Sequence, residues 1–167
     1  MIQTERLLLR ELTIDDAPFI FHLVNEPAWL QFIGDKGVRN MHDAEQYILN
    51  GPVKSYHQNG FGLWLVMDKQ LNIPLGMCGL IKRDGLDDVD IGFAYRAVYG
   101  GKGYGVEAAT AVLQHARQAL GLTRIVAILD EDNVRSRKLL EKIGFQYEKM
   151  ITLPNATKEV VLMGIAL

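Results

Sequence analysis

The fold of this chain is decided by the stretch DIGFAYRAVYGGKGYGVEA, residues 90–108. Its first residues are typical of a β-strand, four glycines follow within six residues, and a long amphipathic helix begins near Tyr104. The first N–H groups of a helix lack intrahelical partners, and the helix dipole adds about half a positive charge there. The stretch therefore predicts a strand, a phosphate-binding loop and a helix, with the functional centre at the loop.

The glycine loop has two other interpretations. It can be a tight turn without a ligand. It also fits the dinucleotide fingerprint G-x-G-x-x-A through Gly103, Gly105 and Ala108, with Asp130 near the end of a later strand as a ribose-binding acid. That fingerprint opens two βαβ halves, and too little chain follows residue 108 for the second half. The phosphate-loop pattern G-x-x-x-x-G-K-[ST] is absent, because Gly103 follows Lys102.

Length and composition limit the classes of protein to which the chain can belong. With 167 residues, 49% of them apolar, we expect one domain spanning residues 1–167. A net charge of −2 gives no electrostatic footprint for nucleic acid. The single cysteine, Cys78, is expected to be a buried hydrophobe in a reducing compartment, so we predict a cytoplasmic protein. No secretory signal or membrane span is expected, and the four histidines lack metal-ligand spacing.

Periodicity predicts an antiparallel meander before the loop and a parallel βαβ unit around it. We predict strands at 4–10, 61–67, 74–81, 89–95, 124–129, 145–151 and 159–166. Helices are expected after Thr13, from Asp43 to Gln58 with a break or kink at Gly51-Pro52, after the glycine loop, and after Asn133.

This order of elements resembles the GNAT superfamily of acyl-CoA-dependent N-acetyltransferases. The loop is similar to the family motif Q/R-x-x-G-x-G/A, with Gly103 and Gly105 at its two small positions. Residues 4–10, residues 101–108, and Asn133-x-x-Ser136 with residues 140–145 resemble the branch of ribosomal-protein N-terminal acetyltransferases. The resemblance implies a mixed α/β fold, with a mostly antiparallel twisted sheet of six to seven strands, a parallel βαβ unit at the cofactor site and about four helices.

The resemblance also implies acetyl-CoA as the donor. The cofactor-binding residues it indicates are Ala94, Tyr95 and Arg96 along the pantetheine arm, Gly101, Lys102, Gly103, Tyr104 and Gly105 at the pyrophosphate, and Asn133 from the next helix. Asn133 can equally be a simple N-cap, and Lys102 can be merely solvated. Two positions depart from the family. Gly100 stands where the motif has Gln or Arg, and Leu140 stands where many members carry a tyrosine acid.

The resemblance places two candidate catalytic residues. Asp90 lies near the position of the family's glutamate base, and Ser136 matches a serine that this branch often carries as a proton or hydrogen-bond donor. The acids around Asp90 can instead form a solvated edge or attract a cationic acceptor, and Ser136 can be an ordinary helix-surface residue. We expect direct acetyl transfer in a ternary complex to a protein N-terminus or small-molecule amine. A catalytically silent acyl-CoA-binding module is the alternative, and a homodimer is left open.

Overall fold

A computed structural model describes residues 1–167, and its strands form one open mixed sheet. The strands are β1 (Ile2–Gln3), β2 (Leu7–Glu11), β3 (Leu63–Asp68), β4 (Ile73–Ile81), β5 (Asp90–Tyr95), β6 (Arg124–Leu129), β7 (Gln146–Ile151) and β8 (Val160–Ala166). Their order across the sheet is β1-β2-β3-β4-β5-β6-β8-β7, and only β5 and β6 pair in parallel. The predicted mixed fold with a parallel βαβ unit is confirmed.

The sheet has eight strands where six to seven were predicted, because Ile2 and Gln3 form a further strand, β1, before the predicted opening strand. The Thr4 N–H donates to the Leu7 carbonyl at 2.9 Å and turns the chain between β1 and β2. A strand of two residues is too short to show the alternation by which strands are recognised in a sequence. Leu7 and Leu9 share one face of β2, and both are fully buried.

Six α-helical segments are present where about four were predicted. They are α1 (Ala17–Leu23), α2 (Pro27–Phe32), α3 (Met41–Ile48), α4 (Lys54–Asn59), α5 (Tyr104–Gln118) and α6 (Val134–Lys142). A π-helical turn, Leu49–Val53, joins α3 to α4 and contains Pro52, so the expected break is a local widening of one continuous helix. The six residues of α2 are too few to establish a period. None of the helices has the length and hydropathy needed to cross a bilayer.

The helices lie on both faces of the sheet and form two cores. The larger core contains α5, Leu140 of α6 and residues from both halves of the sheet. The smaller one joins α1, α2 and α3 to β3 and β4 and includes no residue of β6, β7 or β8. Ile91 belongs to the larger core, and Ala94 packs against the smaller one. Because side chains alternate along a strand, Asp90 lies on the same face of β5 as Ala94.

Candidate active site

β5 and β6 are parallel neighbours that pair only where both begin. Asp90 is the one β5 residue in register with β6, opposite Val126, and the Val126 N–H donates to the Val89 carbonyl at 3.0 Å. From Ile91 to Tyr95, β5 has no partner on its β6 side. An opening therefore separates the two halves of the sheet and widens toward the glycine loop.

Strand geometry decides which residues direct main-chain groups into this opening. The Arg96 N–H donates to the Leu75 carbonyl of β4 at 3.0 Å. Successive residues of a strand direct their N–H and C=O groups to opposite sides, so Ala94 and Arg96 face β4 while Phe93 and Tyr95 face the opening. Of the three residues predicted for the cofactor arm, only Tyr95 presents its main chain there. Phe93 was missed, because this parity follows from the pairing of β5 and not from its composition.

The glycine loop exposes an array of free amides at the start of α5. Gly101 and Gly103 have φ angles of 75° and 80°, which favour glycine. The N–H groups of residues 101–105 donate to no backbone or side-chain acceptor, and α5 begins without a side-chain cap. A Cβ atom at Gly101 would meet nothing within 4 Å. Free amides at the positive end of a 15-residue helix form an anion-binding site.

Arg6 was not predicted as a site residue, but its contacts connect this loop to the residues just before β2. It donates from Nη1 to the Lys102 carbonyl at 2.9 Å and from Nε to Glu107 Oε1 at 2.7 Å. Its guanidinium carbon lies 4.6 Å from the centre of the Tyr104 ring. Burial alone would raise the pKa of Glu107, but hydrogen bonds from Thr4 and Arg6 outweigh it and hold that pKa below its usual value. Both residues lie in segments noted for their family resemblance, which is the signal that could have paired them.

α6 begins beside the loop and carries the two polar residues predicted there. The Asn133 side chain accepts the Ser136 N–H at 3.2 Å, so Asn133 is the N-cap of α6. Its amide nitrogen makes no hydrogen bond within the chain. Ser136 is half-buried. Leu140 is 1% exposed and belongs to the larger core, so it offers no hydroxyl where many family members carry tyrosine.

The Tyr95 side chain packs between Gly105 and the larger core. A Cβ atom at Gly105 would lie 3.5 Å from its ring, and the ring packs against the larger core. Cys78 is buried nearby, as predicted, and burial raises its pKa to about 12. The thiol therefore stays protonated at neutral pH and is no nucleophile.

Asp90 is 1% exposed and forms an ion pair with the partly exposed Arg83 at the closed end of the opening. Arg83 donates to its two carboxylate oxygens at 3.3 and 3.2 Å. Burial raises the pKa of Asp90, and the charge and hydrogen bonds of Arg83 oppose that rise. The neighbouring acids differ, since Asp84 is exposed and Asp88 contacts Arg124 at 3.0 Å. A solvated acidic edge therefore describes Asp84 but not Asp90.

Two cavities lie against α3 and against the β7–β8 hairpin. One of about 390 Å³ lies between the 36–38 loop and α3 and is lined by Lys36, Asp43 and Tyr47 among others. The other, of about 450 Å³, lies between the 85–88 loop and the β7–β8 hairpin. Its wall includes Val126, the residue in register with Asp90, so this cavity borders the closed end of the opening.

Comparison with known proteins agrees with this geometry. The family model described as acetyltransferase (GNAT) domain matches residues 6–146. The uncharacterized N-acetyltransferase YjdG of Bacillus subtilis is 30% identical, over 87% of this chain and 89% of that protein. A GNAT-family acetyltransferase from Bacillus anthracis superposes with a TM-score of 0.81 at 25% identity, covering 99% of this chain and 97% of that one. The ribosomal L7/L12 α-N-protein acetyltransferase RimL, solved in complex with coenzyme A, superposes with a TM-score of 0.84 at 17% identity over 98% and 96% of the two chains.

Proposed function

This chain belongs to the acetyltransferase (GNAT) family, and we propose that it transfers an acetyl group from acetyl-CoA to a primary amine by direct transfer in a ternary complex. One observation carries the proposal. The free amides of residues 101–105 lie at the end of the same strand whose edge is unpaired from Ile91 to Tyr95. A diphosphate and an amide-bearing arm attached to it would find matching partners along one continuous path.

The residues of this site fit acetyl-CoA, which supplies the acetyl group as an activated thioester. The N–H groups of residues 101–105 would hold the diphosphate, and Lys102 would add positive charge. Main-chain groups of Phe93 and Tyr95 would pair with the pantetheine arm, and the Asn133 amide nitrogen would reach it from α6. Ala94 and Arg96 would line the arm while their own main chains stay bonded to β4. RimL shares this fold and binds coenzyme A, which supports the assignment.

We propose Asp90 as the group that takes the proton from the amine, through a bridging water. A lysine-like amine has a pKa near 10.4, so deprotonating it at pH 7 costs about 4–5 kcal/mol. A carboxylate whose pKa is raised by burial is a better proton acceptor near neutral pH. Arg83 donates to both oxygens of this buried carboxylate and favours its ionised form. The water is needed because Asp90 is already bonded to Arg83 and is almost fully enclosed.

The remaining groups would stabilise the charge that develops during transfer. The N–H group of Phe93 faces the opening and would donate to the acetyl oxygen, which leaves the Phe93 carbonyl and the main chain of Tyr95 for the pantetheine arm. The Ser136 hydroxyl would donate to the departing thiolate. Cys78 cannot form an acetyl-enzyme, because its thiol is fully buried and protonated.

Steady-state release of the CoA thiol with a panel of amines, at saturating acetyl-CoA, tests this proposal. We expect turnover with at least one acceptor drawn from peptide N-termini, amino acids, polyamines and aminoglycosides. Acetyl-CoA binding without turnover on any of them would favour the silent acyl-CoA-binding module, which Gly100 and Leu140 motivate. A titration that detects NADH binding but no CoA binding would favour a nicotinamide protein. Against that alternative, the Asp130 carboxylate is already bound by Lys158 at 2.7 Å.

The acceptor class stays open between a protein N-terminus and a small-molecule amine, and no direct nucleic-acid partner is proposed. The wall of one cavity includes Val126, the residue in register with Asp90, and we propose that the acceptor approaches through this cavity. A cytoplasmic location remains a prediction from the single cysteine, and a homodimer remains open.

A further inference from the structure

The space beside Gly100 is filled by a side chain from another element. A Cβ atom at Gly100 would lie 2.8 Å from one terminal nitrogen of Arg135 and 3.5 Å from the other. Gly100 stands where the loop motif has Gln or Arg, so the loop lacks its own leading side chain. The guanidinium of Arg135 therefore lies beside the position from which that side chain would start.

The packing of α6 places the exposed side chain of Arg135 beside the loop. Leu139, four residues after Arg135, touches the loop as well, since a Cβ atom at Gly105 would lie 2.6 Å from its Cδ1 atom. Residues four apart lie on the same face of a helix. One face of α6 therefore rests on the loop, with Leu139 at Gly105 and Arg135 at Gly100. The Asn133 cap holds the first turn of α6 in this position.

Arg135 is one of the few arginines without an acidic partner. Seven of the nine arginines lie within ion-pair distance of a carboxylate, and the exceptions are Arg117 and Arg135. Arg117 is in the last turn of α5, at the opposite end from the loop. The other guanidinium at the loop, that of Arg6, is already bound to Glu107 and to the Lys102 carbonyl. Arg135 is thus the guanidinium that remains free for an anion at the loop amides.

We infer that Arg135 is a cofactor-binding residue whose guanidinium binds the diphosphate held by the loop amides, in place of the side chain missing at Gly100. This inference rests on the proposed function, which supplies coenzyme A as the ligand. A guanidinium offers several N–H donors in a planar fork that matches two phosphate oxygens at once. The loop lacks the Gln or Arg side chain of the family motif, and Arg135 of α6 provides a guanidinium in its place.

The test compares coenzyme A binding by the full-length protein and its Arg135→Gln variant in isothermal titration calorimetry. We expect the dissociation constant of Arg135→Gln to rise about 10-fold or more, because a hydrogen bond to a charged group contributes about 1.5–3 kcal/mol. The matched control is Arg137→Gln, which removes the same charge from the same helix. Arg137 faces Glu141 at 3.7 Å, with its guanidinium carbon 5.5 Å from the centre of the Tyr147 ring, so its loss should change the constant less than about twofold.

Equal weakening in the two variants would reduce the effect to net charge and overturn the inference. Dephospho-CoA, which lacks the 3′-phosphate, shows which phosphate group Arg135 binds. If Arg135 binds the diphosphate, Arg135→Gln should lose the same affinity for dephospho-CoA as for coenzyme A. A loss confined to coenzyme A would assign Arg135 to the 3′-phosphate and overturn the diphosphate assignment. If the unaltered protein binds no coenzyme A, the proposed function itself fails. If it binds and Arg135→Gln binds equally well, only this inference fails.

A rescue variant tests the replacement directly. The backbone at Gly100 has φ −66° and ψ 155°, a conformation open to any residue. Restoring the motif's side chain in the double variant Gly100→Arg, Arg135→Gln should recover most of the lost affinity for coenzyme A. A double variant that binds no more tightly than Arg135→Gln would contradict the replacement.

Discussion

The two ends of β5 present different chemical groups, main-chain amides at one end and side chains at the other. At its carboxyl end, main-chain amides and glycines form the surface, and neighbouring side chains support them from outside. At its amino end, the main chain is paired with β6, and the buried carboxylate of Asp90, paired with the partly exposed Arg83, provides the chemistry. An amide is present whatever the residue, so the first end tolerates substitutions that keep the backbone shape. The second end depends on particular functional groups.

The largest expected effect is at the amino end, for Asp90→Asn. We expect kcat to fall about 100-fold, in the range typical of a lost general base. The dissociation constant of coenzyme A should stay the same, because the amides that bind it are at the other end of the strand. Steady-state kinetics on the best acceptor, with calorimetry of coenzyme A, measure the two quantities separately.

Asp84→Asn is the matched control for Asp90→Asn. It removes an exposed acid from the turn that precedes β5 and should leave kcat unchanged. A rise in KM for cationic acceptors in this control would show that the acidic cluster attracts them. If Asp90→Asn kept the full rate while still binding coenzyme A, Asp90 would have no place in the mechanism.

At the carboxyl end, Gly103→Val should weaken coenzyme A binding about 10-fold, since a left-handed conformation costs an ordinary residue about 1–2 kcal/mol. The added Cβ would also lie 3.3 Å from a terminal nitrogen of Arg6, the residue that fastens the loop. The kcat at saturating acetyl-CoA should change little. Calorimetry and initial rates measure these effects.

Gly121→Val is the control for Gly103→Val and shows whether backbone strain alone lowers coenzyme A affinity. Gly121 has φ 66°, and a Cβ atom there meets nothing within 4 Å, so the variant has comparable backbone strain outside the site. Its thermal stability should fall without any loss of coenzyme A affinity. Equal affinity losses in the two variants would show that the loop has no special role.

The smallest effect is a shift in pH dependence for Arg83→Gln. Arg83 opposes the burial that raises the pKa of Asp90, so removing the guanidinium should raise that pKa further. A base acts in its deprotonated form, and the acid limb of the kcat profile should therefore move to higher pH. The rate deficit should be larger on the acid side of the profile than on its alkaline side. A limb that stays in place, or moves to lower pH, would contradict the role of this pair.

Sequence patterns predicted those parts of the site that depend on neighbouring residues. The opening strand that contains the buried residues Leu7 and Leu9 was predicted, and the glycine spacing indicated a loop before α5. Parts that depend on distant contacts were missed. Arg6 and Glu107 are 101 residues apart in the chain, and no local pattern joins them. Phe93 was missed for a related reason, since a strand's alternation gives two sets of residues but not which set faces an open edge.

The sequence by itself determined the glycine loop, the helix behind it and the family, because glycine conformations and helix starts are set by residues close together in the chain. Only the tertiary structure decided which main-chain groups face the opening, that Asp90 is buried against Arg83, and that Arg135 lies beside Gly100. Each of these depends on how separate elements pack, because burial, ion pairing and strand edges are properties of neighbours in space.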